Sequence, residues 1–67
     1  MKGFIKVTNV DKEIGYVNIH HVLRFYRSSP DYAGKAFLFV EDTQNTTVIQ
    51  TLETVEDIVA LIEMAQE

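Results

Sequence analysis

The sequence predicts an α+β fold, an antiparallel meander of four to five strands with one C-terminal helix. Three observations predict it. Short segments in which apolar and polar residues alternate recur between positions 4 and 52, and clusters of Asp, Asn, Ser and Gly and the one proline separate them. The C-terminal segment switches to helical spacing behind a threonine. A chain of 67 residues suffices for one small domain, residues 1–67, whose folded form buries only about 60% of the surface the unfolded chain exposes.

The first strand is expected at residues 4–9, where Ile5 and Val7 alternate with Lys6 and Thr8. Asp11, Lys12 and Glu13 end it, and Gly15 permits a turn or bulge before the chain resumes in a second strand at 14–18. Residues 18–21 break the alternation. Asparagine bonds readily to its own backbone two residues on, so Asn18 reads as the start of a short turn. A third strand follows at 22–28, rich in β-formers and stopped by Ser28, Ser29, Pro30 and Asp31. A helix over 18–28 competes with it, because Ile19, Val22, Leu23 and Tyr26 also fit a helical stripe.

The fourth strand, 35–41, reads Lys-Ala-Phe-Leu-Phe-Val-Glu, with Phe37 and Phe39 on one face and Ala36, Leu38 and Val40 on the other. Both faces want cover. Asp42, Thr43, Gln44 and Asn45 make a hairpin connection, and 46–52 is the returning strand. Thr54 then caps a helix over 54–66, with Glu56 and Asp57 at the positive end of its dipole and Val55, Ile58, Val59, Ile62 and Ala65 along one face. One helix covers one sheet face. Either the sheet curls into a small barrel or two copies pack face to face, so a homodimer or higher oligomer is expected.

Charge is divided unevenly along the chain. All six basic residues fall within positions 1–35, which carry +3, whereas positions 36–67 hold seven acids and no base, giving −7 and a net charge of −4. The two halves are either two ends of one surface or complementary faces for partners. The N-terminus lacks the apolar stretch of a secretory signal, and no apolar run approaches the roughly 20 residues of a membrane helix. A cytoplasmic protein without a membrane partner is the expectation.

Chemistry has little to work with. Without cysteine there is no thiolate nucleophile and no ordinary structural zinc site. His20 and His21 are adjacent, and neighbouring side chains in extended structure point apart, which disfavours a shared metal. Gly3, Gly15 and Gly34 are too dispersed for a phosphate loop, and no spacing brings Ser28 or Ser29 to a histidine and an acid. The expectation is therefore no enzyme, no catalytic residue, no metal and no cofactor.

Binding has more. Arg24 and Tyr26 share one strand face, and Phe37 and Phe39 share a face of the next strand. Aromatic and arginine side chains dominate interface energetics, so these four form the candidate interaction surface for an unknown protein partner. The alternative is single-stranded nucleic acid, with bases stacked on the rings and Arg27 and Lys35 near the phosphates. The acidic net charge weighs against it.

Three patches carry a family likeness: Phe4-Ile5-Lys6-Val7-Thr8; Asn18 followed by Val22, Phe25 and Ser29-Pro30-Asp31; and Val48 with Glu53-Thr54-Val55-Glu56-Asp57-Ile58. In this order they resemble the small flagellar FlbD proteins, also called SwrD, short bacterial chains associated with motility. That family's "LNG" turn is replaced here by Asn9-Val10-Asp11-Lys12-Glu13, and the 30–35 loop is longer. The resemblance implies a non-enzymatic accessory protein. Together with the residue-level reading it points to a small bacterial or phage accessory module that binds protein and associates with itself.

Overall fold

The computed structural model describes residues 2–66. The alternation at the N-terminus forms β1 (Phe4–Thr8), in which Ile5 and Val7 are buried while Phe4 and Lys6 face outward. It pairs antiparallel with β2 (Ile14–Asn18), Ile5 opposite Val17 and Val7 opposite Gly15. The connection is organised by Asn9. Its side-chain Oδ1 accepts the backbone N–H groups of Asp11 at 2.9 Å and Glu13 at 3.0 Å, and its Nδ2 donates to Glu13 Oε1 at 3.0 Å. Lys12 takes the left-handed conformation, φ 67°, that the reversal demands. Gly15, expected to make a turn or bulge, lies inside β2 instead, because Asn9 and Lys12 have already turned the chain.

Asn18 caps a 3-10 turn, Ile19–His21, by accepting the His20 N–H at 2.9 Å. The chain then enters β3 (Val22–Arg27), an extended strand where the helical stripe competed. β-branched and aromatic side chains gain more from the pleated surface beside the next strand than from an isolated helical turn. β3 pairs with β4 (Ala36–Glu41) across a register shift between Val22 and Arg24, and β4 pairs with β5 (Thr46–Thr51). The β3–β4 loop lies close against β5. A Cβ added to Gly34 would stand 2.9 Å from the Gln50 Cβ, so only glycine fits without displacement. Buried Ser28 donates its hydroxyl to the Gly34 carbonyl, and buried Thr51 donates to the Glu53 carbonyl at 2.8 Å.

Helix α1 (Val55–Ala65) opens with a reciprocal cap: Thr54 Oγ1 accepts the Asp57 N–H and Asp57 Oδ2 accepts the Thr54 N–H, both at 3.1 Å. The helix packs chiefly on β1 and reaches β3. Ile5 and Val7 of the hairpin, Ala36 and Leu38 of β4, and Ile58 and Ala65 of α1 form the core.

The fold is α+β, with five antiparallel strands and a C-terminal helix, and it differs from a single meander or closed barrel in one respect. The strands form two sheets, β1-β2 and β3-β4-β5, joined by one bridge between Asn9 and Thr51. Closure fails for a physical reason. The 3-10 turn carries the chain from β2 to β3 without pairing them, and β1 meets the other sheet only at its C-terminal end. The Thr8 N–H donates to Glu53 Oε1 and the Thr8 carbonyl accepts the Leu52 N–H, each at 2.8 Å, while the Gly3 N–H donates to the Ala65 carbonyl at 2.9 Å.

Candidate protein-interaction surface

The inner face of β4 is fully buried at Ala36 and Leu38, so strict alternation sends Phe37 and Phe39 to the opposite face. Register supplies their neighbours. Tyr26 lies opposite Phe37 and Arg24 opposite Phe39 on β3, while Gln50 and Val48 flank the same two residues on β5. The four residues singled out from the sequence therefore meet on one surface. Tyr26 stacks on Phe39 with ring centroids 5.4 Å apart and meets Phe37 edge to face at 5.9 Å. The Arg24 guanidinium carbon sits 4.3 Å from the centre of the Phe39 ring.

Two members escape the sequence reading. Tyr32 folds back from the β3–β4 loop to meet Phe37 edge to face at 5.2 Å, held by a turn in which its N–H donates to the Ser29 carbonyl at 3.0 Å. The Ser-Ser-Pro-Asp turn signal, followed by a tyrosine beside a strand's first outward aromatic, could have suggested it. Val48 follows from counting across the 42–45 hairpin, which sets it opposite Phe39. Phe37 and Phe39 are half-buried by these neighbours, whereas Tyr26 and Tyr32 remain 48% and 53% exposed and Val48 is exposed beside them. No element of the described chain covers this face.

The rings pack against one another. Phe39 meets Tyr26 and Arg24, and Phe37 meets two tyrosines at steep interplanar angles. Arg27 and Lys35 do not join the aromatic cluster. They line a groove of about 430 Å³ together with Tyr32, Pro30, Thr54 and Val55, where Arg27 forms an exposed ion pair with Glu56 at 3.7 Å. Such a pair contributes little at the surface.

The remaining polar candidates fall into local structural roles. His20 and His21 are exposed on the 3-10 turn, His21 Nδ1 lying 3.3 Å from the Glu41 carbonyl oxygen. Among the described residues no three His, Cys, Asp or Glu side chains converge as a metal group would require. Asp57 is spent on the helix cap and Glu53 on the Thr8 N–H. Among the same residues, no helix is long and apolar enough to cross a membrane. No family model, curated protein or solved structure matches the chain.

Proposed function

We propose that this chain is a small non-catalytic accessory module that works by protein binding and self-association. Its docking surface is the outer face of β3–β5, anchored by Arg24, Tyr26, Phe37 and Phe39. One observation carries the reading: an arginine and three mutually packed aromatic rings stand on a sheet face that the helix leaves open. Side chains fixed in advance by their own packing lose little freedom on binding, and aromatic and arginine anchors supply most interface energy. Self-association belongs to the same reading because only six apolar residues are buried among those described. The likeness to FlbD/SwrD chains points toward an accessory role in a bacterial or phage setting.

A photo-crosslinking phenylalanine analogue in place of Tyr26, used in the source cells, tests the surface. A discrete adduct that disappears with Arg24→Glu, and is not formed by the same analogue in place of Lys12, is the expected result. Equal adducts from both positions, or none from either, would sink it. Single-stranded RNA gives the contrasting outcome. Binding at about 50 mM salt that weakens steeply toward about 200 mM would replace protein docking by a nucleic-acid site.

A further inference from the structure

Among the described residues the outer edge of β2 pairs with no other strand, and its chemistry selects the kind of strand that fits. The Asn9 N–H donates to the Glu13 carbonyl at 2.9 Å and the Ile19 N–H to the Gly3 carbonyl at 3.0 Å. With the hairpin register, these rungs place Glu13, Gly15, Val17 and Ile19 in the positions bonded toward β1. The N–H and C=O groups of Ile14 and Tyr16 consequently point away from β1, along an edge that pairs with no other strand. Their side chains are 59% and 58% exposed.

Open edges are normally blunted by charge, proline, a bulge or cover. The other edges of this fold show such devices. β1 carries Lys6 and is tied at Thr8 to residues 52 and 53, β3 carries Arg24, Arg27 and a register shift, and β5 is tied at Thr51 and Leu52 to the end of β1. β2, Ile-Gly-Tyr-Val-Asn, has no charge, no proline and no bulge. Nothing in it opposes a sixth strand.

We propose that β2 is the self-association surface, pairing antiparallel with β2 of a second copy about a two-fold axis through Gly15. This rests on the self-association in the proposed function and gives it a place distinct from the aromatic face. In that register Ile14 lies opposite Tyr16 of the second copy and the reverse, so all four free N–H and all four free C=O groups of Ile14 and Tyr16 in the pair are satisfied. The exposed Ile14 and Tyr16 side chains become cross-strand neighbours, a favourable β-branched and aromatic pair. Glu13 falls opposite Val17 and Lys12 opposite Asn18, so no like charges meet. The product is a four-stranded sheet, β1-β2-β2-β1, that leaves both aromatic faces free. An edge of five residues buries less than the roughly 1,200 Å² of a stable interface, so the dimer exchanges rapidly.

Sedimentation equilibrium of the full chain, with amide hydrogen exchange at two concentrations, tests it. The mass should rise from 7.7 kDa toward twice that value between about 10 μM and about 1 mM, and the Ile14 and Tyr16 amides should gain protection over the same range. Ile14→Lys and Tyr16→Lys should each weaken the dimer about tenfold or more, and Val48→Lys on the other sheet should not. A dimer whose Ile14 and Tyr16 amides stay unprotected overturns the β2 assignment and leaves self-association standing. A chain that stays monomeric to about 1 mM overturns both, while the crosslinking result at Tyr26 judges the aromatic face separately.

Discussion

The two sheets contribute to one core yet meet water in different ways. β3–β5 buries Ala36 and Leu38 on its inner face and closes its outer face into a ring cluster, with its loop fitted tightly at Gly34. β1–β2 buries Ile5 and Val7, is steadied by bonds from residues 52, 53 and 65, and leaves Ile14 and Tyr16 standing free beside an open edge. A central strand paired on both sides organises one sheet. The other is a two-stranded ribbon of a kind that is marginal alone in water and depends on what is packed against it. The wider sheet is thus a preorganised surface, and the hairpin is an adaptable one.

Substitutions can break or sharpen that contrast. The largest effect is expected from Leu38→Ala, which empties a site with no exposure in the middle of β4. It should cost about 2–5 kcal/mol, enough to leave much of so small a fold unfolded in a urea titration. Gly34→Ala tests whether the loop is as tightly fitted as the strand. With the new Cβ 2.9 Å from Gln50 Cβ and 3.2 Å from the Thr51 carbonyl, a loss of about 1–3 kcal/mol is expected by the same measurement.

Phe39→Ala removes the ring on which Tyr26 and Arg24 rest. Thermal unfolding should show a loss of about 1–2 kcal/mol, smaller than at Leu38 because Phe39 is only half-buried. On the hairpin the sign reverses. Lys12→Gly relieves a left-handed backbone at φ 67° and should raise stability by about 0.5–1 kcal/mol in urea, whereas a loss would mean that the Lys12 side chain contributes more than its backbone strain costs. Arg27→Ala, which removes an exposed ion pair to the helix, should change the unfolding midpoint by less than about 0.5 kcal/mol, as should added salt.

Much of this was legible in the sequence where the pattern is local. Ile5 and Val7 against Lys6 and Thr8, the two-faced Phe37-Leu38-Phe39 run, and the Thr54 cap each depend on neighbours a few residues away, and β1, β4 and α1 form there. The candidate surface was legible for the same reason, since antiparallel register carries Arg24 and Tyr26 to Phe39 and Phe37. Partition into two sheets was not. It depends on the Asn9 to Thr51 bridge and on Glu53 reaching the Thr8 N–H, groups more than forty residues apart with no shared period. Tyr32 escaped because loop residues obey no alternation, and the turn or bulge that Gly15 permits does not form within β2 because Asn9 and Lys12 have already turned the chain.

The bonds that hold β1 carry a consequence for the order of events during synthesis. Gly3 and Thr8 are made well before their partners at residues 52, 53 and 65. While the ribosome is still at work, the hairpin therefore has its inner face and one edge waiting, with only the transient shelter of its own turn. Contacts of such long sequence separation form slowly, so the inner face of the hairpin stays uncovered during that interval. The bond from Gly3 to the Ala65 carbonyl cannot form until residue 65 has left the exit tunnel.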